Sequence, residues 1–340
     1  MAFQEPALTA DYGLAKRISP KKVGLGHLVQ EKQNLLWAKS SASAADVMQL
    51  LQSNGLVALP IYDEKRKKFI GVAHIFDVTM ALLDGSQGAV DEPKNIVSSE
   101  AVIKRATERA SQSIGDLLFN DVTECMVCFH CADPIEKAIK PLNAVPHHVL
   151  VTMTNEQEEN EEQLEAGGVV EGRYRLLSQT DVVRFLSRHQ HELERELLDR
   201  VLLATIDELG LVADRPVVSC FPAEGKLALD AFNEMKENKV SAVGVCEKGT
   251  GRLLYNLAAS DLRGMTVQKM HLLLRPVPEF LSQLGSRKLI FPITAQPETR
   301  VRDLLENLLA GRSHRAYVID DQQRPIAVIS YTDILSKIIP

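Results

Sequence analysis

The sequence predicts an α/β protein built from four copies of one small unit, a short β-sheet carrying two helices, with the copies joined in two pairs. Three observations predict it. A helix–strand–turn–strand pattern recurs four times along the 340 residues. Each copy ends at an aspartate that opens an apolar helix: Asp77, Asp181, Asp261 and Asp333. Apolar residues make up 45% of the chain and aromatic residues only 5%, so the core is expected to be aliphatic. Such a composition suits small α/β units better than sugar-binding or base-stacking surfaces.

The elements follow in order. Residues 1–32 form an N-terminal segment. The first copy, 33–85, runs from a helical stretch at 44–54 into VALPIYD at 57–63, the turn EKRKK, and FIGVAHIFDVTMALL from Phe69. A polar linker, 86–113, leaves room for a helix. The second copy, 114–188, carries HHVLVTM at 147–153 and RYRLLSQTDVVRFL from Arg173. Between those strands lies an acidic loop, 154–172, too charged to bury and expected to be a mobile insertion. Residues 189–207 read as a helical connector, with Leu193, Leu197, Leu198 and Val201 at helical spacing. The third copy, 208–265, holds KVSAVGVCE at 239–247 and RLLYNLAASDLRGM from Arg252. A linker, 266–284, leads to the fourth, 285–340, with SHRAYVIDD at 313–321 and PIAVISYTDILSKII from Pro325.

Paired apolar runs of this length, rich in Val and Ile, read as buried strands. Asp at the start of each closing helix reads as an N-cap, its carboxylate accepting from an orphan backbone N–H. A unit of about 60 residues cannot bury both faces of its sheet alone, so the copies should pair.

Charge and cysteine content narrow the function. The net charge is −6, and Glu156, Glu158, Glu159, Glu161, Glu162 and Glu165 account for all of it. This balance lacks the basic footprint of a nucleic-acid binder. No apolar run reaches the ~20 residues that cross a bilayer, and the start of the chain lacks a secretory pattern. Five scattered cysteines fit a reducing compartment, so a cytoplasmic or nuclear location is expected. The Cys125, Cys128, Cys131 spacing, with His130 nearby, invites a metal reading. Strand alternation would place Cys128 opposite the other two, and a fourth ligand is missing, so a strand is the preferred reading. His189 and His191 sit in a charged helical stretch and read as a solvated face. No nucleophile elbow, phosphate loop or zinc-protease motif is present, and no enzyme is expected.

These repeats resemble the CBS-domain superfamily, and in particular the gamma subunit of AMP-activated protein kinase and its plant and fungal relatives with four CBS repeats. The segment from His314-Arg315 through AYVIDD and IAVISYTDIL is similar to that family's fourth repeat, and Val240-Ser241-Ala242 to the start of its third. The resemblance implies two Bateman modules, each a pair of repeats, that bind adenine nucleotides (AMP, ADP or ATP) as regulatory ligands, with no other cofactor. It implies a protein partner, kinase subunits among the candidates.

In the family the helix-opening Asp accepts from the ribose hydroxyls, while neighbouring hydroxyls and basic side chains hold phosphate. Carried over, this assigns Ser330, Thr332 and Asp333, with His314 and Arg315, in the fourth repeat. It assigns Ser178, Thr180 and Asp181 in the second, beside His147 and His148. In the third it assigns Val240, Ser241, Ser260 and Asp261, with Ala258 where a hydroxyl is expected. The first repeat keeps Asp77 but has His74 and Phe76 in place of hydroxyls and Val57 in place of a basic residue, so its site is expected to be empty or changed. The alternative is a CBS-fold adaptor whose clefts are vestigial.

Overall fold

A computed structural model describes residues 18–83, 98–120, 126–153, 172–212, 220–222 (backbone only), 225–284 and 291–338. The acidic run 154–171 and Cys125 lie outside the described residues.

Four three-stranded sheets share one topology. In each, a short first strand runs parallel to the second, and the third returns antiparallel beside it. The first unit comprises Ala38–Lys39, helix Ala44–Ser53, strands Ala58–Asp63 and Lys68–His74, and helix Ile75–Leu83. The second comprises Cys128–His130, helix Ile135–Asn143, strands His148–Thr152 and Tyr174–Ser178, and helix Gln179–Arg188. The third has Cys220–Pro222, helix Ala228–Glu237, and strands Ala242–Cys246 and Leu253–Ala258. The fourth has Thr294–Ala295, helix Val301–Ala310, strands Arg315–Ile319 and Pro325–Ser330, and helix Tyr331–Leu335.

Sheets pair the units that are neighbours in sequence. Between the first and second, Trp37, Tyr62, Phe69 and Tyr174 stack edge to face, with Phe69 and Tyr174 centroids 5.6 Å apart. Between the third and fourth, Tyr317 donates from its hydroxyl to Asn256 Oδ1 (2.8 Å) and packs over Gly244, where an added Cβ would lie 3.1 Å from the ring. Helices pair the units differently. One apolar core joins helices of the first unit (Val47, Met48, Leu51, Val78) to Phe232, Met235 and Leu262 of the third. A second core joins Ile139, Leu142, Val182 and Leu186 of the second unit to Leu304, Leu308, Ile334 and Leu335 of the fourth. Each unit therefore touches two others, and the four close into a ring.

Several elements depart from the sequence reading. Within the two linkers, residues 98–113 and 266–284 are folded parts of the core. Helix Ser99–Ala110 packs on the 3-10 helix Val267–Leu274, burying Val102, Ala106 and Ala110 at i, i+4 and i+8. Helix Ile114–Leu118 docks on the first unit through Ile114 N–H to Ala42 O (2.8 Å) and Gly115 N–H to Ser40 O (2.9 Å), although the sequence reading opens the second unit at 114. The 189–207 connector is broken into 3-10, α and π turns. The third unit closes in a four-residue 3-10 turn, Ala259–Leu262, in place of an α-helix. Its start, Ala258, has no hydroxyl to cap with, and Gly264 at φ +83° ends it.

Candidate functional site

Strand register sets equivalent positions in all four units. The last residue of the third strand faces the first of the second strand: Ala58 with His74, His148 with Ser178, Ala242 with Ala258, and Arg315 with Ser330. Each aspartate lies three residues past that point.

The aspartates are not N-caps. Ser178 and Ser330 take the N-cap position, and Asp181 and Asp333 stand at the third helical residue of a capping box. In both boxes the serine N–H (2.8 Å) and Oγ (2.7 Å) donate to the carboxylate Oδ2. Asp261 receives the N–H of Ala258 at 2.8 Å. Asp77 reaches solvent, yet the surrounding protein raises its pKa to about 6, against a partial pull down by Lys236.

In the second unit the box holds a further partner. Lys32 Nζ lies 2.6 Å from Asp181 Oδ2, and Arg184 NH1 lies 3.5 Å from Oδ1. Asp181 is buried. In the cleft between the third and fourth units, Arg315 donates to Ser241 Oγ at 2.6 Å. Burial works against the Arg315 charge, while Tyr317, Asp261 and Asp333 support it.

His74 of the first unit interacts electrostatically with His147 and His148 of the second, Arg263 of the third and His314 of the fourth. Burial, with smaller contributions from His148, His314, Arg263 and His147, lowers the His74 pKa to about 4. Burial lowers the His148 pKa as well. His147 Nδ1 lies 3.1 Å from Leu142 O, and His148 Nδ1 lies 2.8 Å from Pro146 O. A carbonyl only accepts, so in both rings Nδ1 carries the proton and Nε2 is the remaining atom for a ligand.

The structure thus brings together Ser330, Asp333, His314, Arg315, Ser241 and Asp261. Two hydroxyls expected to hold phosphate instead join the second and fourth units. Thr332 Oγ1 accepts from Gln179 Nε2 at 2.9 Å, and Thr180 Oγ1 lies 3.3 Å from His314 Nε2. Val240 packs partly against the first core and donates its N–H to Met235 O. Ser260 sits in the 3-10 turn, its carbonyl receiving the Arg263 N–H. Sequence reasoning missed Lys32, Gln179 and Arg263; each acts across units, and none belongs to a local motif. Cys128 lies exposed on a strand, and Cys131 Sγ lies 3.9 Å from His130 Nε2. Among the described residues no cluster suited to a metal ion occurs, and no helix is long and apolar enough to cross a membrane.

The family described as CBS domain matches residues 29–84 and 287–340, covering most of the first and fourth units. The chain is 23% identical to the Arabidopsis thaliana protein named SNF1-related protein kinase regulatory subunit gamma-like PV42a, over 92% of this chain and 93% of that one. It is 26% identical to the Arabidopsis thaliana SNF1-related protein kinase regulatory subunit gamma-1-like, over 42% of this chain and 34% of the relative. A crystal structure from Methanocaldococcus jannaschii, of a candidate archaeal homologue of g-AMPK, matches with a TM-score of 0.62 at 16% identity. The match covers 92% of this chain and 99% of that one, and it shows a shared fold. With CBS-domain matches in the first and fourth units and a shared four-unit fold, the chain has the architecture of four CBS repeats paired into two Bateman modules, and it is similar along nearly its whole length to a gamma-like regulatory subunit.

Proposed function

We propose that the chain is a non-catalytic regulatory protein that binds an adenine nucleotide, AMP, ADP or ATP, between its paired repeats and so modulates a partner protein. One observation carries this reading. Asp333 and Asp261 both support the charge of Arg315, which bridges the third and fourth units by donating to Ser241 Oγ. A carboxylate for ribose hydroxyls next to a guanidinium for phosphate is the pair of charges a nucleotide requires. A ligand touching both units favours one arrangement of the ring over another, which is the physical basis of regulation. The names of the Arabidopsis relatives support a protein kinase as the partner.

Calorimetry and thermal melting with AMP, ADP and ATP test the proposal. Binding at micromolar affinity is expected, and nucleotide at about 100 times its dissociation constant should stabilise the fold by about 2.7 kcal/mol. Asp333→Asn keeps an acceptor for the Ser330 N–H and removes the charge, so it should weaken binding by about tenfold or more. No heat and no melting shift with all three nucleotides would overturn the reading.

A second reading, an adaptor with vestigial clefts, draws on Thr332 and Thr180 being engaged between units and on His74 replacing a hydroxyl in the first. It expects partner binding that nucleotide leaves unchanged.

A further inference from the structure

Segment 18–32 is built into the second unit. Leu25 and Val29 are fully buried in the second core. The backbone is fastened on both sides: Leu25 N–H donates to Asp133 O and Gly26 N–H to Cys131 O, each at 2.8 Å. Gly24 allows this approach, since an added Cβ would lie 2.9 Å from Cys131 O. At the far end Arg175 Nε donates to Lys32 O at 3.0 Å, fixing the point from which the lysine side chain departs. Its ammonium then bridges Leu176 O and Asp181 Oδ2, both at 2.6 Å.

The boxes at Asp181 and Asp333 are the same to a tenth of an ångström in their serine contacts. Among the described residues of the segment before the first repeat, Lys32 reaches a box, and that box is the second unit's. A ribose diol would engage this carboxylate through two O–H donors. Lys32 already supplies a donor there, with a full charge, and the anchored chain holds it in place. An anchored group competes at a high effective concentration, and a neutral diol gains less from the carboxylate than an ammonium does.

We propose that Lys32 is a tethered occupant of the second unit's cleft, and that it decides which clefts of the ring admit a nucleoside ligand. The inference rests on the nucleotide reading above. It assigns ligand to the side of the ring around Asp333 and Asp261, and it makes the second cleft a closed site that removal of one side chain would open.

AMP is the probe, with binding stoichiometry read by calorimetry and local engagement by hydrogen exchange over 174–188 and 325–335. In the unaltered chain AMP should slow exchange at 325–335 and leave 174–188 unchanged. Lys32→Ala should take up one further AMP per chain, with new protection at 174–188. Adding Asp181→Asn to Lys32→Ala should abolish that gain. Lys32→Met keeps the stem along the core and removes the charge. It guards against a folding loss and should move in the same direction as Lys32→Ala, by less.

Protection of 174–188 by AMP in the unaltered chain would overturn the proposal. So would unchanged stoichiometry in both Lys32 variants, or weaker binding in them, which would make Lys32 a phosphate ligand. In those outcomes AMP still binds and the nucleotide reading stands. Absence of AMP binding to every variant removes that reading and this inference together.

Discussion

His74 stands where the second and fourth units carry Ser178 and Ser330. Its Nδ1 accepts the Phe76 N–H at 3.3 Å, so the ring takes over the role of a serine hydroxyl in starting the helix. Buried among His148, His314, Arg263 and His147, it titrates near 4, whereas an unfolded imidazole titrates near 6.5. Between those values the unfolded chain binds a proton that the folded chain refuses. Stability attributable to His74 is therefore complete above about pH 6.5 and is lost as pH falls towards 4. The loss reaches about 3 kcal/mol, at 1.36 kcal/mol per unit. Asp77 acts in the opposite sense: its raised pKa favours the folded state as pH drops below about 6, weakly because the side chain reaches solvent. Urea unfolding at pH 7 and pH 4.5 should show a smaller difference in His74→Asn than in the unaltered chain, by about 2 kcal/mol. An unchanged difference would place the acid sensitivity elsewhere. The Ser-x-x-Asp boxes were legible in sequence because both partners lie within one turn. Lys32 with Asp181 and Gln179 with Thr332 span 149 and 153 residues, and Arg315 with Ser241 spans 74. No local pattern encodes such contacts.

At the scale of elements, the strands and most helices were readable from period and turn chemistry, and the connecting segments were not. Helix Ser99–Ala110 is polar on average, and its narrow Val102, Ala106, Ala110 stripe buries only because Val267–Leu274 faces it from far along the chain. Helix Ile114–Leu118 shows how closely such a segment can seat. Its N-cap Ser113 accepts the Asp116 N–H, and Gly115 lies so near the first unit that a Cβ would stand 2.9 Å from the Ser40 carbonyl oxygen. Backbone cannot swing aside as a side chain can. Gly115→Ala therefore sets a helix-propensity gain of up to ~1 kcal/mol against overpacking of ~1–3 kcal/mol. The clash should win, with a net loss of about 1 kcal/mol in chemical denaturation. A more stable Gly115→Ala would mean the helix is not held against Ser40 in solution.

The ring sets how the molecule as a whole must fold. Sequence repetition pointed to two modules, each of neighbouring repeats, and the sheet contacts between Phe69 and Tyr174 and between Tyr317 and Asn256 form those pairs. The larger cores run the other way. Phe232 of the third unit lies 6.1 Å from Phe76 of the first, and Val182 and Leu186 of the second share a core with Leu304 and Leu308 of the fourth. Repetition could not reveal this second pairing, because every unit carries the same apolar helix faces and their partners are fixed only on assembly. A chain cut between residues 212 and 220 keeps each sheet-paired module whole, yet divides both helical cores. Each half would then expose apolar helix faces that the intact ring buries, and large exposed apolar patches drive association. Residues 18–212 and 220–340 expressed separately should aggregate or self-associate. Expressed together they should elute as one complex of the two halves. Size-exclusion chromatography with light scattering distinguishes the outcomes. Two independently folded monomers would show that the modules are self-sufficient and that the helical cores between them add little. Phe232→Ala in the reassembled complex sharpens the test, since emptying a buried aromatic site costs ~3–5 kcal/mol. That cost would fall on the contact between halves, so the variant should dissociate at concentrations where the unaltered pair remains whole.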